Sequence, residues 1–198
     1  QHSSAASDVY KRQKQRIMKA RETKLKGCFI LEPEIYEDSR GYFFEPFNHN
    51  RFCEAIGKQV DFVQDNQSFS KKGVIRALHY QVGEHAQATL VRVLQGKVLD
   101  VAVDLREDSN TFGQHVAVEL SSENRKQIFI PKGFAHGFAV LSDSAEFFYK
   151  CDNYYNAGSE GGIIYNDRDL KIDWKLSETE VILSQKDATL PILKDARL

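Results

Sequence analysis

The chain is broken, about every ten residues, into short β-forming stretches closed by glycine or proline, and this cadence limits its fold more than any other feature. Cys28-Phe29-Ile30-Leu31 reads as a strand. The turn Glu37-Asp38-Ser39-Arg40-Gly41 leads to a second, aromatic strand, Tyr42 to Phe47. Val60 to Asn66 and Gln67 to Ser70 read as two short extended pieces, and Lys71-Lys72-Gly73 as the turn before the strand Val74 to Gln81. Thr89 to Leu94, Gln95-Gly96-Lys97 and Val98 to Arg106 read as a hairpin. In its second arm Leu99, Val101, Val103 and Leu105 share a core face, while Asp100, Ala102, Asp104 and Arg106 share a face open to solvent or to a polar cavity. His115 to Leu120 follows as a strand. Gln127 to Ile130 is another, ended by Pro131-Lys132-Gly133, and Phe134 to Leu141 and Ala145 to Asp152 complete the series. Phe147, Tyr149 and Cys151 alternate with Glu146, Phe148 and Lys150.

Helix signals are few. Asn50 to Ile56 reads as a short helix capped by Asn50 and stopped by Gly57. Ser177-Glu178-Thr179-Glu180 has the spacing of a capping box and predicts a short terminal helix. The expected fold is therefore all-β, a sandwich or jelly roll with short flanking helices. Without βαβ alternation or a GxGxxG turn, a doubly wound nucleotide fold is disfavoured.

Residues 1–19 differ in texture. A small polar stretch leads into a basic run, Lys11, Arg12, Lys14, Arg16 and Lys19, and reads as a tail preceding one domain over 20–198. The whole chain of 198 residues has a net charge of −1, so no global field draws it to nucleic acid or a membrane. No apolar run approaches the length of a spanning helix. The three cysteines, Cys28, Cys53 and Cys151, are widely spaced and fit buried thiols in a reducing cytoplasm.

Chemistry is expected around the strand Val74 to Gln81, because it carries Arg76 and His79 where a plain core strand would carry aliphatic residues. His79-Tyr80-Gln81 together with Pro131-Lys132-Gly133-Phe134-Ala135-His136 resembles the two motifs of a cupin jelly roll. Metal-binding cupins place a second histidine where this chain has Gln81, a poor ligand beside imidazole, so no metal is expected. Without one, His79 and Tyr149 form a candidate base and acid; the competing reading makes both of them core residues.

A longer set of motifs resolves that choice. Gln64-Asp65-Asn66, Arg76-Ala77-Leu78-His79-Tyr80-Gln81, Leu90-Val91-Arg92-Val93, Gly96 to Asp104, Ile130 to Phe138 and Leu183-Ser184-Gln185-Lys186-Asp187 resemble the dTDP-4-dehydrorhamnose 3,5-epimerases, in order, from about Thr23 to Pro191. The resemblance implies a cofactor-free cupin homodimer acting on a dTDP-4-keto-6-deoxyhexose. It implies His79 as base, Asp187 as its carboxylate partner and Tyr149 as acid. It implies polar contacts to sugar and diphosphate from Arg76 and His136, and a polar wall position for Asp100. Arg40, Phe43, Glu45, Gln64 and Asn66 match the part that grips thymidine and diphosphate, partly from the neighbouring subunit, and Tyr155 matches a residue near the nucleotide.

Strict alternation puts Arg76 and His79 on opposite faces, so a bulge is expected between them. Thr89 stands where the family usually has a lysine beside the developing enolate oxygen. That departure leaves three readings open: a slow 3,5-epimerase, a mono-epimerase on a related nucleotide sugar, and a non-catalytic nucleotide-sugar-binding cupin. Ala77 replaces a usual glycine, and Tyr165 and Arg168 depart from a usual Trp-Asn-Asp-Pro segment.

Overall fold

The computed structural model describes residues 18–198. Two antiparallel sheets face each other. The first has six strands in the order β1 (Lys19–Glu22), β2 (Phe29–Glu32), β10 (Gln127–Ile130), β7 (Thr89–Gln95), β12 (Ser144–Cys151) and β5 (Gln64–Lys71). The second has five, in the order β13 (Glu160–Gly162), β6 (Ile75–Gln81), β11 (Phe134–Val140), β8 (Lys97–Asp104) and β9 (His115–Ser121). β3 (Ile35–Asp38) and β4 (Gly41–Phe44) form a separate hairpin, and α1 (His49–Ile56) follows it. The architecture is the expected jelly roll. Most of residues 1–19, the expected tail, lie outside the described residues; Lys19 opens β1 rather than ending a tail.

Three apolar clusters hold the layers together. The first fills the space between the sheets, with Val91, Val93 and Phe147 from one side and Val98, Ala102, Phe134 and Phe138 from the other. The second lies on the outer face of the five-stranded sheet, where Ile163, Leu170 and Trp174 of the C-terminal segment cover Leu99, Val101 and Val103. The third sits under α1, with Phe52, Cys53 and Ile56 against Leu31, Leu90 and Phe129. β8 is thus buried on both faces. Its Leu99 face meets the C-terminal cover, and its Asp100 face looks into the sandwich.

Several expectations need correction. Thr89 to Leu94 and Val98 to Arg106 are not a hairpin: β7 pairs with β10 and β12, whereas β8 pairs with β11 and β9. Gly96 turns the chain from one sheet to the other at φ +79, where a Cβ would lie 2.0 Å from the Ser144 carbonyl oxygen. A glycine between two apolar runs signals a change of direction, but not which strand will be the partner. The two extended pieces before Lys71 join into one strand, β5, because all of it pairs with β12. α1 is capped by Asn48, whose side chain accepts from the Arg51 N–H at 3.2 Å, and Asn50 lies inside the helix; Gly57 ends it in the left-handed conformation as expected. Ser177 and Glu180 do bond to each other, but they close a turn and no α-helix starts there; only single 3-10 turns follow, at Asp187–Thr189 and Leu193–Asp195. Just beyond Glu180, Ile182 bridges in parallel to Val74, so the segment is drawn onto β6 instead.

The expected bulge is present. His136 pairs with His79 and Phe138 with Arg76, so two steps along β11 match three along β6. The extra residue breaks the alternation of side chains, and Arg76 and His79 both line the same cavity.

Candidate active site

The cavity opens between the sheets and has a volume of about 670 Å³. β5 and β12 of one sheet and β6 and β11 of the other contribute to its walls, and the strap around Leu183 to Asp187 closes part of the rim.

His79 stands on β6 with its Nε2 3.1 Å from Asp187 Oδ1. Asp187 is almost fully buried and is fixed in turn by its own N–H, which donates to Ser184 Oγ at 3.0 Å. A carboxylate beside an imidazole orients the ring and stabilises its protonated form. Nδ1 is buried and makes no hydrogen bond within the chain. Tyr149 comes from β12 in the opposite sheet. Burial pushes its hydroxyl above the ordinary tyrosine range and the nearby Cys151 adds to this, while the Arg76 charge opposes it. Tyr149 is therefore a proton donor throughout the neutral range. His79 from one sheet and Tyr149 from the other thus line the same cavity.

Positive charge and aromatic surface complete the walls. Arg76 Nε donates to Ser70 Oγ at 3.1 Å, a bond from one sheet to the other. His136 Nε2 lies 2.9 Å from Oδ2 of Asp100, a second histidine–carboxylate pair. Asp100 is fully buried and stands behind His136 rather than at the cavity surface. The His136 ring stacks on Phe147 at 6.0 Å, and Phe147 on Phe138 at 3.9 Å. Thr89 opens β7 and lines the cavity, and its Oγ1 is buried without a hydrogen-bond partner.

At the rim, Tyr155 donates through its N–H to Gln64 Oε1 at 3.1 Å and through its hydroxyl to Glu160 Oε2 at 3.3 Å. Glu160 also takes the Lys186 ammonium at 2.6 Å. Burial raises the Glu160 carboxyl, but the Lys186 bond and charge outweigh it, so the group lies below the usual range. Gln64 Nε2 donates to Asn66 Oδ1 at 3.2 Å.

The structure thus gathers His79, Tyr149, Asp187, Arg76, His136, Asn66, Thr89 and Tyr155 around one cavity, with Gln64 and Asp100 one step behind it. Arg40, Phe43 and Glu45 do not join them. They lie on or beside the β3–β4 hairpin, where Arg40 pairs with Asp38 and Glu45 with Arg51. Glu160, Lys186 and Gln87 also line the cavity and were not singled out from the sequence. Lys186 could have been found from its place beside Asp187; nothing local marks Glu160. Among the described residues no group of three or more histidine, cysteine or acidic side chains is placed to hold a metal ion.

Comparison with known proteins gives one consistent result. A family model described as dTDP-4-dehydrorhamnose 3,5-epimerase matches residues 22–195. The enzyme of that name from Salmonella typhimurium is 53% identical over 176 residues, which is 89% of this chain and 96% of its own. A crystal structure of the Elizabethkingia anophelis dTDP-4-dehydrorhamnose 3,5-epimerase superposes with a TM-score of 0.87 at 56% identity, covering 90% of this chain and 97% of that one. The Legionella pneumophila dTDP-6-deoxy-D-glucose-3,5-epimerase, solved in complex with dTDP-4-keto-L-rhamnose, superposes with a TM-score of 0.86 at 52% identity, covering 90% and 94%. The chain belongs to the dTDP-4-dehydrorhamnose 3,5-epimerase family.

Proposed function

We infer that the protein is an isomerase that inverts C3 and C5 of a dTDP-4-keto-6-deoxyhexose on the route to dTDP-rhamnose. The observation that carries this reading is the His79–Asp187 pair facing Tyr149 across the cavity from the opposite sheet. The C4 ketone acidifies the hydrogens on C3 and C5. His79 takes one, and the C–H electron pair moves into a C–C double bond as the carbonyl oxygen becomes an enolate. Asp187 stabilises the imidazolium that results. Tyr149 then gives its proton to the opposite face of the same carbon, and the ketone re-forms. Proton exchange with water then removes the proton from His79 and returns one to Tyr149, and repetition at the second carbon completes the reaction. Arg76 supplies positive charge beside Tyr149, suited to the enolate or to a diphosphate oxygen.

The name of the relatives favours inversion at both centres. Structures described as a 3'-monoepimerase are only 29% and 31% identical to this chain. Arg40, Phe43 and Glu45, which lie away from the cavity of their own chain, fit a homodimer in which each subunit reaches into its neighbour's site. A cytoplasmic setting suits a chain whose three cysteines are all free and buried. No helix among the described residues is long and apolar enough to cross a membrane.

The test is isotope exchange. His79→Ala is expected to abolish deuterium uptake at C3 and C5 alike. Tyr149→Phe is expected to keep washout of substrate hydrogen while losing inversion. Full activity in His79→Ala would remove the base assignment.

A further inference from the structure

Gln81 occupies the position where a metal-binding cupin places its second histidine, and here its side chain is fully engaged elsewhere. It is almost entirely buried. Nε2 donates to the His85 carbonyl at 2.7 Å and to the Tyr154 carbonyl at 3.2 Å, and Oε1 accepts the Asn156 N–H at 2.6 Å. An amide can make these three bonds together. A neutral imidazole, with one donor and one acceptor, cannot, and a carboxylate offers no donor.

None of these bonds serves sheet pairing. They join two loops, the one after β6 and the one after β12. The same two loops are tied again by Gln87 Nε2 to the Asn153 carbonyl at 2.8 Å and by Asn153 Nδ2 to the Glu84 carbonyl at 2.9 Å. Each loop delivers a side chain to the cavity, Gln87 from the first and Tyr155 from the second. Tyr155 in turn touches Glu160, which holds Lys186. A shift of the second loop therefore moves one whole side of the rim, while His79, Asp187 and Tyr149 are held by other contacts.

We propose that Gln81 is a positioning residue that fixes the nucleotide-facing rim of the cavity by locking these two loops together. This rests on the reading of the cavity as a dTDP-sugar site. A rim held in its bound shape before the ligand arrives lowers the ordering cost of binding. Loss of the lock should weaken nucleotide binding and leave proton transfer intact.

The experiment compares the whole protein with Gln81→Met, which keeps the side-chain length and removes all three bonds. Calorimetric titration with dTDP alone is expected to show binding weakened about tenfold or more, with KM for the keto sugar raised in step and kcat within about threefold. Amide exchange at Tyr155 and Asn156 should quicken, and that of β6 and β12 should not. Gln81→Glu, which keeps the acceptor for Asn156 and loses both donors, is read in the same way if the methionine variant does not fold. Unchanged dTDP affinity would overturn the proposal, as would a fall in kcat that follows a loss of thermal stability. Failure of the unmodified protein to bind dTDP would overturn the dTDP-sugar reading itself, and this proposal with it.

Discussion

At the scale of single residues, Thr89 is the point where this chain departs most from the family it resembles. Thr89 lines the cavity, and its Oγ1 is buried without a partner in the chain, so the position brings no fixed charge to a ligand. A fixed ammonium at an enolate oxygen stabilises the transition state more than a hydroxyl does, and a lost oxyanion donor costs on the order of 10²–10³ in rate. Thr89→Lys is therefore expected to raise kcat roughly tenfold or more, measured with saturating substrate. An unchanged or lower kcat would mean that another group, with Arg76 the nearest candidate, already neutralises the oxygen. The place of His79 at a cavity was legible from its strand, whereas Tyr149 gained weight over a core reading only through the long motif set. Glu160 was not legible, because its role comes from Tyr155 and Lys186, and Lys186 lies 26 positions further along the chain.

Most strands were legible, because alternation of apolar residues and Gly or Pro punctuation are local signals; β1, β3 and β13, short and mostly polar, were not. Pairing was not. β7 and β8 meet at Gly96 like the arms of a hairpin, yet β7 pairs with the distant β10 and β12, and β8 with the next strand, β9, and with β11. Gly96 enforces the crossing: its φ of +79 disfavours any side chain, and a Cβ would meet the Ser144 carbonyl oxygen. Gly96→Ala should lower stability by about 2–4 kcal/mol in denaturant unfolding. A loss below about 0.5 kcal/mol would show that the corner can be rebuilt at little cost. The bulge in β6 is the opposite case. It could be anticipated because two residues of one strand were needed in one cavity three positions apart, an arrangement that regular pleating does not permit.

For the molecule as a whole, the cavity opens at one mouth of the sandwich, between two sheets whose shared core is mostly apolar. Arg40, Phe43 and Glu45 stay outside that mouth, and Tyr42 and Phe43 are more than half exposed. A single sequence cannot say which of its residues act on a second copy; only their distance from the chain's own cavity brings the question forward. If each subunit completes its neighbour's nucleotide site, sedimentation should give a particle of twice the 22.6 kDa chain mass, and Arg40→Ala should raise KM about tenfold with kcat little changed. A monomer with full activity would contradict the shared-site reading. The central claim is that one base and one acid, set on opposite sheets, enolise the sugar at both carbons. Proton NMR of dTDP-4-keto-6-deoxyglucose in D₂O with the protein tests it most directly. The account predicts that the C3 and C5 hydrogen signals both disappear as L-configured product forms; retention of both signals with the nucleotide sugar bound would contradict it.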